Sequence, residues 1–89
     1  MSHELLVEME PVEGALLRVL GTVERRGFGL RAVTSERIDD RRQSLRLELD
    51  GDRDPEVLCR QLERLVDVRQ VQLVAESSPR ESFQATWLQ

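Results

Sequence analysis

The sequence is short of the residues that most often carry chemistry. Among 89 residues there are one cysteine, one histidine, no tyrosine, two Phe and one Trp. A single thiol, Cys59, cannot close an internal disulfide. No histidine stands near it in sequence to act as its base, so it reads as a buried structural thiol rather than a nucleophile. His3, beside Ser2 at the terminus, reads as a solvated end residue. With so few aromatics, the core must be built mainly from Leu and Val. No apolar run approaches the ~18 residues of a membrane span. No charged-then-apolar leader opens the chain, so the expected location is cytoplasmic. Lysine is absent and all 13 basic residues are Arg, from which no function follows.

Against those 13 basic residues stand 17 acidic ones, a formal charge of -4. That balance argues against a domain whose main task is neutralising phosphates, and nucleic acid is not expected as a partner. What is present, 39% apolar and 34% charged residues, is a globular composition. A chain this short buries only ~60–65% of its unfolded surface and cannot support two separate cores. One domain is expected, over residues 1–76, with 77–89 as a flexible tail.

Periodicity supplies the element order. Leu5, Val7 and Met9 alternate with Glu4, Glu8 and Glu10, a half-buried strand that Pro11 ends. Leu16, Leu20 and Val23 fall at i, i+4 and i+7, with Leu17 and Val19 widening the stripe, so a helix is expected over Ala15–Arg26, closed by Gly27. Phe28–Ile38 is rich in β-compatible residues but breaks strict alternation, which predicts a bulge or bend near Ala32. After a polar turn at Asp39–Arg42, Leu45, Leu47 and Leu49 alternate with Arg46, Glu48 and Asp50. Asp54 can cap a second helix and Pro55 fits its first turn, with Leu58, Leu62 and Leu65 facing inward. Val68–Glu76 forms the last strand, with Val71, Leu73 and Ala75 on one side. The order β-α-β-β-α-β predicts an α+β, ferredoxin-like sandwich: four antiparallel strands with two helices on one face.

That layout hosts unrelated activities, so function has to come from sites. An RNA reader stacks bases on aromatics of its central strands, but the outward positions here offer Glu8, Glu10, Arg46 and Glu48. A metal carrier of this topology needs a thiolate pair in the first loop, and Glu10-Pro11-Val12-Glu13-Gly14 has none. Glu36, Asp39 and Asp40 cluster at a turn, where acids gather for ordinary solvation. An enzyme acting alone is disfavoured, leaving a binding or regulatory module. Gly14 then matters: a residue without Cβ at a helix start leaves unpaired backbone N–H groups open to a carboxylate. Equally, it eases a tight strand-to-helix corner, and the sequence does not choose between the two.

Two blocks carry a family resemblance. Gly14-Ala15-Leu16-Leu17-Arg18-Val19-Leu20, continuing to Arg26-Gly27-Phe28, and Gln61-Leu62-Glu63-Arg64-Leu65-Val66-Asp67-Val68 together resemble the ACT-domain regulatory subunits of acetolactate synthase. The likeness covers residues 4–76 and is nearest to the short, single-ACT members.

The resemblance implies a non-catalytic subunit that binds and activates a large catalytic subunit of branched-chain amino-acid synthesis. The partner would hold thiamine diphosphate, Mg2+ and in some cases FAD, with no cofactor in this chain. It also implies a homodimer paired through the second strands, which would remove an aggregation-prone edge. A branched-chain amino-acid effector would lie between Pro11, Val12, Glu13, Gly14 and Ala15 of one copy and Leu30, Arg31, Ala32 and Val33 of the other. Valine-responsive members carry an Asn about three residues before the glycine. Pro11 stands there and offers neither side-chain donor nor N–H, so a weak or absent valine response is expected. A free-standing ACT sensor acting on another enzyme is the alternative. In the tail, Ser77-Ser78-Pro79 reads as a linker, and Phe83, Trp87 and Leu88 would line one side of a helical turn if it docks on a partner.

Overall fold

Leu45, Leu47 and Leu49 are fully buried while Arg46, Glu48 and Asp50 are exposed, as expected of a strand with one dry face. That strand, β3 (Arg42–Asp50), pairs antiparallel with β1 (Ser2–Met9) on one side and with β2 (Gly29–Asp39) on the other. β4 (Val68–Ser77) pairs antiparallel with the far side of β1, giving the order β2-β3-β1-β4. The helices α1 (Ala15–Arg25) and α2 (Pro55–Glu63) complete the βαββαβ order. The computed structural model describes residues 1–77, with the backbone alone for 75–77. The tail reading at Phe83, Trp87 and Leu88 lies outside the described residues.

The core joins Leu5, Val7 and Met9 of β1 and the three leucines of β3 to Val19 and Val23 of α1 and Leu58 and Leu62 of α2. Each fully buried Leu or Val contributes about 1.5–3 kcal/mol relative to exposure, which makes this cluster the main driving force for the two layers. The other sheet face is open. It displays Glu4, Leu6, Glu8, Arg46, Glu48, Gln70 and Gln72, none of them buried, and no aromatic among the described residues.

Helix ends follow their local chemistry. At the end of α1, Gly27 has φ +89°, its N–H donates to Glu24 O at 3.0 Å, and the Phe28 N–H donates to Val23 O at 3.2 Å. That is a Schellman closure, with Phe28 and Val23 both in the core. At the start of α2, Asp54 Oδ1 accepts from the Glu56 N–H at 2.9 Å and Pro55 opens the helix. The expected bulge is present: the β2–β3 register shifts between Leu30 and Ala32.

Three expectations change. The buried row of α1 is Ala15, Val19 and Val23, with Thr22 beside it, while Leu16 and Leu17 are exposed. An i, i+4, i+8 row faces the sheet; Leu16, one position on from Ala15, sits at its shoulder, and Leu17, two positions on, lies on the solvent side. His3 is 5% exposed, not solvated. Its Nε2 lies 3.1 Å from Gly51 O and its ring meets Phe28 edge-on at 5.8 Å, because β1 begins at Ser2 and already carries His3 on the core side. The β1–β4 register shifts after Leu73, which pairs with Leu5, so that Ala75 pairs with Glu4 and the alternation does not run on to Ala75.

Candidate functional site

The first loop starts where β1 runs out. Pro11 removes one donor, yet the Glu10 N–H still donates to Asp67 O at 2.8 Å, tying the loop to the segment before β4. The Val12 N–H donates to Glu10 O at 2.9 Å and the Ala15 N–H to Val12 O at 3.1 Å, so the loop spends two of its donors on itself. Gly14 caps α1 with φ +81° and no side-chain cap bond. The first helical bond is Arg18 N–H to Gly14 O at 3.0 Å. Helix geometry therefore leaves the Leu16 and Leu17 N–H groups, which fall between those two, without a carbonyl one turn back inside the helix.

That helix start is covered. Arg18, one turn in, folds its guanidinium back over Gly14, so that a Cβ there would lie 2.9 Å from an Arg18 terminal nitrogen. Arg18 Nε donates to Asp67 Oδ2 at 2.8 Å, a terminal nitrogen reaches the same oxygen, and another contact runs to Glu13 O at 3.3 Å. Of the two readings of Gly14, the structural one accounts for the residue. A left-handed conformation favours glycine, and the space an open approach would use is filled by Arg18. A cation stands where a carboxylate would dock, already neutralised by Asp67. Neither Arg18 nor Asp67 was singled out for the site from the sequence.

The second group lies elsewhere. Leu30 pairs with Leu49 and Val33 with Leu47, and these β3 residues pair with His3 and Leu5 of β1. The loop follows Met9, whose level on β2 is that of Arg37 through Gln43. At ~3.3 Å per residue, Leu30–Val33 are therefore about 13–23 Å along the strand from that level. One copy does not bring the two groups together. β2 is an edge strand, and only Leu30 and Ala32 of its residues are less than exposed.

Among the described residues two titrating groups are perturbed. The Arg41 N–H and then the Arg42 side chain hold the Asp39 carboxyl below its ordinary value, at the β2–β3 turn. Burial, reinforced by Glu63 and Glu56, pushes the Cys59 thiol up, away from the reactive thiolate. Neither adjoins the first loop in sequence. Among the described residues no three His, Cys, Asp or Glu gather where they could hold a metal ion. No helix among them is long and apolar enough to cross a membrane.

Comparison with known proteins places the sequence profile of the ACT domain on residues 11–71. A probable acetolactate synthase small subunit from Archaeoglobus fulgidus is 36% identical over 81 residues, covering 88% of this chain and 50% of that protein. The chain thus spans half the length of that relative. The acetolactate synthase small subunit from Thermotoga maritima superposes with a TM-score of 0.74 at 18% identity, over 99% of this chain and 67% of that one. The ACT domain of GTP pyrophosphokinase from Chlorobium tepidum gives 0.71 at 13% identity, over 83% and 97%. Likeness at those low identities speaks for the fold alone.

Proposed function

The chain belongs to the ACT-domain family, and on that premise we propose that it is a non-catalytic regulatory subunit of acetolactate synthase. The observation that carries this reading is the 36% identity to a probable acetolactate synthase small subunit over 88% of the chain. In this role it binds and activates a catalytic subunit that holds thiamine diphosphate, Mg2+ and in some cases FAD. Binding energy directed at the competent arrangement of that subunit raises its activity, and an effector favouring another arrangement lowers it.

The working unit in this reading is a homodimer joined along β2. Antiparallel pairing about Thr34, the midpoint of that strand, brings Leu30 of a second copy level with Ile38 and Val33 level with Ser35, the end at which the first loop lies. Pro11, Val12, Glu13, Gly14 and Ala15 of one copy and Leu30, Arg31, Ala32 and Val33 of the other then form the effector site. Its response to valine is weak or absent. Pro11 supplies no donor, the Val12 and Ala15 N–H groups are engaged within the loop, and Arg18 is paired with Asp67.

Affinity purification of the full chain tests the assignment. A large thiamine-diphosphate-dependent subunit is expected to co-purify, and failure to bind any such subunit on co-expression contradicts the reading. Titrating valine into the reconstituted complex tests the effector claim separately, and half-inhibition at micromolar valine would reject it.

A further inference from the structure

At the opposite end of the sheet from the first loop, a cavity of about 220 Å³ is lined by Arg26, Phe28, Arg53, Asp54, Val57 and Leu58. We propose that it binds a small monocarboxylate with a branched or aromatic apolar body. This site is separate from the effector site and does not depend on the proposed function.

The floor is apolar and fixed. Leu58 is fully buried, Phe28 is 4% exposed and Val57 is 40% exposed. Phe28 is wedged from two sides: His3 meets its ring edge-on, and a Cβ added at Gly51 would lie 3.0 Å from its Cδ1. The apolar side of the cavity is therefore in place without a ligand, which spares a ligand the cost of ordering that side.

The charges point to one anionic group. Arg26 is steadied by donating to Gln61 Oε1 at 2.8 Å, which is a neutral partner. Arg53 is laid across Gly27, where a Cβ would be 3.3 Å from its Nε. Among the described residues Arg53 has no carboxylate within ion-pairing distance. Asp54 is committed to capping α2. Two guanidinium groups against one carboxylate leave a single positive charge, and a guanidinium fork matches the planar geometry of a carboxylate. A dianion without an apolar body would match neither the single positive charge nor Val57, the one apolar side chain of the lining that stands substantially exposed.

The test is an NMR titration of the full chain with isovalerate and phenylacetate as probes, and with isovaleramide and inorganic phosphate as controls. The carboxylates are expected to give saturable shifts at the Gly27, Phe28 and Val57 amides and at the Nε–H groups of Arg26 and Arg53. The neutral amide and phosphate should bind at least about tenfold more weakly, the loss expected when a charge-assisted contact or the apolar body is missing. Arg53→Gln and Arg26→Gln should each weaken the carboxylates by a similar factor. Absence of saturable shifts at these signals overturns the proposal. So does an equal response to amide or phosphate, a response centred on residues 10–14, or unchanged affinity in both variants. The comparison of probes on the unaltered chain decides the matter even if a variant folds poorly.

Discussion

Arg18 and Asp67, 49 residues apart in sequence, meet at the mouth of α1, where Arg18 Nε donates to Asp67 Oδ2 at 2.8 Å. The contact closes the helix start over Gly14 and ties the first loop to the segment entering β4, which Glu10 also reaches through Asp67 O. A cation therefore sits at the proposed effector site with its charge already matched. Any incoming carboxylate must compete with Asp67.

Replacing that competitor gives the first prediction. Asp67→Asn is expected to lower stability by about 1–2 kcal/mol, since the Asp67 side chain is only 13% exposed while Arg18, at 47%, stays half in solvent, which places the pair between a surface and a buried one. It should raise the affinity of the first loop for a carboxylate such as valine, because Arg18 is then free to pair with it. Urea unfolding measures the first effect and calorimetric titration of valine the second. Weaker binding by the variant contradicts the account.

The two glycines of the α1 region should respond with opposite signs. Gly14→Ala forces a Cβ into the left-handed region against Arg18, and is expected to destabilise by about 1–2 kcal/mol. Gly21 lies inside α1, where a Cβ meets nothing nearer than Arg25 at 3.6 Å. Gly21→Ala should stabilise by about 0.5–1 kcal/mol. Shifts in the urea midpoint at constant slope read both, and two shifts of the same sign would refute the local geometry described here.

Much of this was legible because local rules and global packing agree. The leucines of β3 alternate without exception, and Asp54-Pro55 and Gly27 mark helix ends by chemistry that acts within a few residues. The bulge at Leu30–Ala32 shows as a break in alternation. What was not legible depends on contacts distant in sequence. The buried row of α1 is chosen by how the helix sits on the sheet, which the choice between Leu16 and Ala15 as its first member does not reveal. His3 is buried because Gly51 and Phe28 come to meet it. The same holds at the loop, where Gly14 advertised an opening and only the fold brings Arg18 and Asp67 together to close it.

Cys59 offers a pH-dependent check on α2. Its thiol titrates above the ordinary range because burial, then Glu63 and Glu56, disfavour the thiolate. Alkylation by iodoacetamide should therefore be slower than for an unfolded peptide thiol at the same pH, with a rate profile whose midpoint lies higher. The linkage follows in sign: stability contributed by the neutral thiol is intact below the unfolded thiol pKa and declines as pH rises through and above it. A midpoint at or below that of the unfolded thiol contradicts the burial described for Cys59.

The initial rate of pyruvate condensation by the catalytic subunit proposed as its partner, measured with and without this chain, decides whether the chain is an activator. Adding the chain is expected to raise that rate at least about fivefold, the lower end of ordinary coupling free energies when the coupling shifts the population of the competent arrangement, with no turnover by the chain alone. An unchanged rate in a demonstrably assembled complex, or pyruvate consumed by this chain unaided, would contradict the account.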